Sequence, residues 1–265
     1  MSLLRVLFIG DMVGKPGRRA LEARLDRLVD QRRVDFTVVN VENAADGLGI
    51  TPDIAEDLFA LGAGCLTSGN HIWDKREIRD YIAREPRLLR PANYPQDLPG
   101  KGIHIGETAA GHRIAVVNVM GRVFMPPVDD PFRTVADVVR EARRSTPVVI
   151  VDMHAEATSE KMAMGWHLDG QVSAVLGTHT HVQTADERIL PGGTAYITDV
   201  GMTGPYDSVI GMDKQAVLSR FLNHTPSRMT AARGDVRLCA VLVDVDSETG
   251  RAASIERMML GEDQP

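Results

Sequence analysis

The 265-residue chain reads as an α/β layered fold, and three features lead there. Apolar runs rich in β-branched residues recur along it. Helical patterns separate several of them, and two stretches pair β-rich arms across polar turns. The runs cover 3–11 (LLRVLFIGD), 35–43 (DFTVVNVEN), 63–71 (AGCLTSGNH), 147–154 (PVVIVDMH), 172–181 (VSAVLGTHTH) and 194–201 (TAYITDVG).

Between them, 17–33, 52–62, 74–85 and 131–145 carry apolar residues at helical spacing, with Asp74 as the N-cap of the third. Alternating strands and helices imply parallel strands. The segments 102–119 and 236–260 read as hairpins, so the strands form two mixed β-sheets packed face to face with helices outside. A single domain spanning 1–265 is expected.

A hydrophobic content of 43% supports a substantial core. The net charge of −6 argues against an extended nucleic acid or an anionic membrane as partner, since either needs a basic footprint. It leaves room for a small anionic substrate held at a metal. The first apolar run is too short for a signal peptide and leads into a helix, and no run approaches a membrane span. Cys65 and Cys239 sit in apolar surroundings and read as reduced core thiols, which points to a cytoplasmic protein. FIGDMVGKPGRRA lacks the spacing of a P-loop and the dinucleotide fingerprint. It leaves only a helix N-terminus able to attract an anion.

The polar residues at the ends of the runs carry more information. They are Asp11, then Glu42 and Asn43, then Asn70 and His71, then His154, then His179 and His181. Open α/β sheets gather ligands outside the carboxyl ends of their strands. Four of the eight histidines fall at such ends, while His104, His112, His167 and His224 read as surface residues. Glu42 ends a buried run and needs a counter-charge. Asp152 is placed to support His154 from behind. If the pair His179 and His181 is extended, both imidazoles leave one side about 6.5–7 Å apart at Cα. That spacing suits one metal, two neighbouring ions, or mere solvation.

Taken in order, GD at 10–11, VEN at 41–43, GNH at 69–71, His154 and GTHTH at 177–181 resemble the motifs of the calcineurin-like metallophosphoesterases. The variants GDMVG, NVENAADG, SGNHIWD, DMHAEATSEK, THTHVQTAD and YITDVGMTGP are similar to the YmdB-like bacterial phosphodiesterase subfamily. The resemblance spans Asp11 to about Pro205. It implies a calcineurin-like layered sandwich in which Glu42 bridges two divalent ions, Asp11 and His181 hold the first, and Asn70, His154 and His179 hold the second. The histidine of the broader family's D-x-H motif is missing, because Met12 and Val13 follow Asp11. The subfamily pattern implies that Asn43 fills its place.

The resemblance favours iron or manganese, with zinc a third option for this mixed donor set. It implies a dinuclear phosphodiesterase in which a metal-bridging hydroxide attacks phosphorus and His71 acts as general acid beside the substrate. The expected substrates are small phosphodiesters such as 2′,3′-cyclic nucleotides. Assembly of several copies is left open. The rival reading is a non-catalytic regulator that binds metal or nucleotide on the same fold.

Overall fold

The computed structural model describes residues 3–224 and 228–261. In chain order the first half contains β1 (Leu3–Ile9), β2 (Asp11–Met12), α1 (Gly14–Glu22), α2 (Leu25–Arg32), β3 (Phe36–Asn40), α3 (Pro52–Ala60), β4 (Cys65–Thr67) and α4 (Ile78–Ile82). Then come β5 (Ile103–Glu107), β6 (Arg113–Met120), α5 (Pro131–Ala142), β7 (Val149–His154), α6 (Thr158–Leu168), β8 (Ala174–Thr178), β9 (Arg188–Ile189) and β10 (Ala195–Ile197). The last elements are β11 (Met202–Pro205), α7 (Lys214–Asn223), β12 (Val236–Asp246) and β13 (Ala252–Leu260).

Among the described residues the strands form two mixed sheets. One runs β2-β11-β12-β1-β3-β4 with β13 also paired to β12; the other runs β5-β6-β7-β8-β10-β9. β1, β3 and β4 are parallel, as are β6, β7, β8 and β10, while both expected hairpins are antiparallel pairs. Strands buried on both faces explain the near-continuous apolar runs. From β1, Leu4, Val6 and Phe8 join Val116, Ile150, Leu176, Val241 and Val243 in the core between the sheets. Leu7 and Ile9 face the other way, towards Leu21, Leu25, Ile54 and Leu58 of the helices. A third core packs α5 and α6 on the back of the second sheet through Val135, Val139, Met153 and Met164.

The expected helix over 17–33 is two, because the chain turns at Ala23–Arg24. The one expected over 74–85 shortens to Ile78–Ile82, with turns through 71–77. Helices α3 and α5 begin where Thr51-Pro52 and Asp130-Pro131 put a side-chain cap before a proline. Helices α6 and α7 lie outside the segments with a helical pattern. In α6 the polar and apolar residues are not segregated, since Glu160 and Lys161 are buried whereas Met162 and Trp166 are exposed. Both cysteines are buried and free. No helix among the described residues is long and apolar enough to cross a membrane.

Phe8 is fully buried on a central strand and faces the opposite sheet. Phe8→Ala should cost about 3–5 kcal/mol, read as a lower urea midpoint at unchanged slope.

Candidate metal centre

The parallel strands of both sheets end at one edge, and the polar residues follow those ends. Asp11 opens β2 just past β1. Glu42 and Asn43 follow β3, Asn70 and His71 follow β4, His154 closes β7, and His179 and His181 follow β8. The seven expected ligands come together. His154 lies 3.3 Å from Glu42, 3.3 Å from Asn70, 3.1 Å from His179 and 3.8 Å from Asp11. Asp11 is 4.0 Å from His181, whose Nε2 is 3.1 Å from Asn43 Oδ1.

Contacts behind the cluster orient its donor atoms. His154 Nδ1 donates to Thr178 Oγ1 at 2.9 Å, and that hydroxyl donates to Asp152 Oδ1 at 2.7 Å. Asp152 is further held by Asn40 and Thr67, so the expected support from Asp152 reaches His154 through Thr178. Nε2 of His154 is thereby turned towards Glu42, Asn70 and His179. His181 Nδ1 donates to the Ile210 carbonyl at 2.9 Å, which turns its Nε2 towards Asp11 and Asn43. Asn43 Nδ2 donates to the Gly47 carbonyl at 2.9 Å, leaving Oδ1 as its donor atom. Gly69 cannot carry a Cβ without moving the His154 ring, since that atom would lie 2.1 Å from His154 Cδ2.

The histidine pair does not sit on an extended strand. β8 stops at Thr178, and His179 and His181 adopt φ of 97° and 66°. Two left-handed residues turn the imidazoles apart, so His179 meets Glu42 and His154 while His181 meets Asp11 and Asn43. Such backbone costs about 1–3 kcal/mol per residue and needs support. Asp199 supplies it. Its Oδ2 accepts Thr180 N at 3.1 Å, Thr180 Oγ1 at 2.7 Å and Lys161 Nζ at 2.6 Å, with Asp199 and Lys161 at most 1% exposed.

The cluster asks for positive charge. Asp11 and Glu42 are buried, and Asp11 Oδ1 and Glu42 Oε2 have no hydrogen-bond partner among the described residues. Burial opposes charge on His154, but Glu42, then Asp11 and Asp152, outweigh it and raise its pKa to about 9. Burial and then the charge on His154 push His179 down to about 2. Burial raises Asp11, whereas His154 outweighs burial at Glu42 and lowers it. Ligand atoms of Glu42, His154 and His179 all lie within 4.8 Å of one another. Buried carboxylate oxygens without partners, which draw positive charge onto His154 and stand beside the neutral ring of His179, fit a divalent cation.

A family model described as YmdB-like protein matches residues 7–258. The chain belongs to the YmdB-like family. It is 51% identical over 260 residues to a Bacillus subtilis protein named 2′,3′-cyclic-nucleotide 2′-phosphodiesterase, covering 98% of each chain. A Mycoplasma pneumoniae protein named a putative phosphatase/phosphodiesterase is 33% identical over 272 residues, covering 100% of this chain and 96% of the other. Among solved structures, a hypothetical protein from Thermus thermophilus matches with TM-score 0.91 at 44% identity, over 98% of this chain and 100% of that one. A Mycoplasma pneumoniae phosphatase matches with TM-score 0.92 at 33% identity, over 100% and 96% of the two chains.

In this YmdB-like chain His71 stands apart from the donor cluster. Its backbone N–H donates to Glu42 Oε1 at 3.0 Å and its ring Nδ1 lies 2.8 Å from Asp74 Oδ2. Asp74 therefore caps no helix; α4 begins only at Ile78, and the carboxylate orients His71 instead. His167 and His224 are exposed, whereas His104 and His112 are half-buried; all four lie outside the cluster. Thr178, Asp199 and Lys161 lie within stretches that carry the resemblance, but nothing local gives them, or the Ile210 carbonyl, a role. Their roles rest on contacts between distant segments.

Two substitutions separate these supports. Asp199→Asn leaves the Lys161 ammonium buried without its counter-charge and should cost about 3–5 kcal/mol, read as a lower urea midpoint. Gly69→Ala should displace the His154 ring and lower the metal retained after dialysis, with the loss measured by elemental analysis.

Proposed function

We propose that the protein is a dinuclear metal-dependent phosphodiesterase acting on small phosphodiesters, among them 2′,3′-cyclic nucleotides. The observation that carries this reading is two groups of donors that meet at buried carboxylates, with Asp11 3.8 Å from His154 and 4.0 Å from His181. Glu42 Oε1 faces His154, in the set with Asn70 and His179, while Glu42 Oε2 is buried without a partner among the described residues. Asp11, Asn43 and His181 form the second set. Relatives named as phosphodiesterases support the substrate class. Iron or manganese suits a set of carboxylate, amide oxygen and imidazole.

In this reading Asp11, Asn43 and His181 would hold one ion, Asn70, His154 and His179 the other, and Glu42 would be shared between them. Bound there, the ions would lower the pKa of water towards neutrality and offset the charge of the phosphate. The chain's own residues do the rest. Asp74 accepts from His71 Nδ1 and fixes the ring, so that Nε2 can serve the substrate. With its side chain 32% exposed, His71 is open to solvent and so to a substrate. As an imidazolium it donates a proton to the oxygen leaving phosphorus, which for a cyclic nucleotide opened at the 2′ ester is the ribose 2′ oxygen.

His71→Asn should keep near-normal metal while turnover of a 2′,3′-cyclic nucleotide falls about 10²–10⁴-fold. The fall should be smaller for bis-p-nitrophenyl phosphate, whose leaving group needs no proton. Metal lost together with activity would make His71 a structural support. Glu42→Gln should lose both ions and all turnover. Wild-type rates on p-nitrophenyl phosphate that equal those on its diester would count against a diesterase.

A further inference from the structure

Eight non-glycine residues have positive φ among the described residues, and two of them are large and apolar, Ile210 and Phe124. Ile210 has an evident task, since its carbonyl orients His181. Phe124 has none in the site described so far. Its φ is 61° and it is 88% exposed. A bulky side chain in the left-handed region is a backbone outlier, and an aromatic ring in water forfeits its burial. Both penalties fall on one residue.

The loop that carries it is built, not loose. β6 ends at Met120, paired in register with the candidate ligand His154, and Gly121 N donates to the His154 carbonyl at 3.0 Å. The buried carboxylate of Glu160 accepts Arg122 N at 3.0 and 3.1 Å and Val123 N at 3.2 Å. Asn93 closes the base, donating to the carbonyls of Met120 at 2.7 Å and Asp129 at 3.0 Å. Arg122 also bridges to Asp130 at 3.0 Å. Four residues of chain carry the Phe124 Cα at most about 14 Å from that of Met120. The ring is thus held out in solvent, on an anchored loop that starts next to a donor residue. Two other aromatics near His71 are not free in this way. Trp73 and Tyr94 stack edge to face at 6.0 Å and pack on the core beneath.

We infer that Phe124 is a specificity-determining residue, a platform on which the base of a nucleotide substrate stacks. A nucleobase presents a flat π-face whatever its identity, and an exposed ring on a stiff loop meets it with little further ordering. This rests on the phosphodiesterase reading above and adds the part of the substrate beyond the phosphate.

The test compares 2′,3′-cyclic AMP with methyl riboside 2′,3′-cyclic phosphate, which has the same reacting group and no base. Phe124→Ala should raise KM for cyclic AMP roughly fivefold to a hundredfold, with kcat and metal content near wild type. KM for the base-free ester should stay unchanged, and Phe124→Trp should restore the wild-type KM for cyclic AMP. Phe124→Gly relieves the positive φ, so it should lose base recognition while its thermal midpoint does not fall. An unchanged KM for cyclic AMP, an equal rise for both esters, or a change in oligomeric state on Phe124→Ala overturns the inference alone. A wild-type enzyme inert towards both esters overturns the functional reading and this inference with it.

Discussion

Two carboxylates, Asp11 and Glu42, are buried at the edge where the parallel strands of both sheets end, and much of the structure answers to them. A buried carboxylate without compensation would take up a proton or unfold its surroundings. Here the first sheet supplies the acids and amides, and the second supplies His154 and the loop with His179 and His181. Neither sheet completes the cluster alone. The apolar core between them, from Phe8 and Val38 to Ile150 and Leu176, therefore sets the distance between acid and imidazole. Fold stability and site geometry are coupled through that core.

The same demand explains where the protein tolerates strain. His179, His181 and Ile210 all hold positive φ, and all three belong to one arrangement that aims two imidazoles at different partners. Opposing that strain, the buried Lys161–Asp199 pair grips Thr180 between the two histidines. A buried ion pair is a poor source of net stability, because desolvation consumes most of the attraction. Its value here is geometric: it leaves the loop one conformation.

Much of this is legible in the sequence. Strand ends, the order of the motifs and the layered fold all follow from local patterns, because a strand buried on both faces is an apolar run and its polar terminus is conspicuous. His154 and Asp11 are readable on that basis. The backbone of the histidine pair is not, since non-glycine residues in the left-handed region carry no sequence signal and the extended alternative looks equally good. Asp74 misleads for a related reason. An acid before a helical pattern reads as an N-cap, and only the position of His71 three residues earlier, in a turn tied to Glu42, shows a stronger use for it. Lys161 and Asp199 each fall in a quoted motif but lie 38 residues apart, so nothing local announces their pairing.

The missing D-x-H histidine shows how a substitution can be absorbed. Val13 stands where that motif would place an imidazole, and it forms a parallel bridge with Asn43. The two backbones run side by side, so in the proposed site a donor lost from one strand end would be replaced from the next. For Asn43 to serve, its amide must not flip, since a nitrogen turned inward would repel a cation. The hydrogen bond from Nδ2 to the Gly47 carbonyl prevents the flip, and Gly47 itself holds a φ of 95° that brings that carbonyl round. Exchanging imidazole for an amide oxygen makes this end of the cluster harder and more oxygen-rich than the end formed by His154 and His179. In the proposed dinuclear site, unlike donor sets would give two ions different affinities, and with them a defined order of loading.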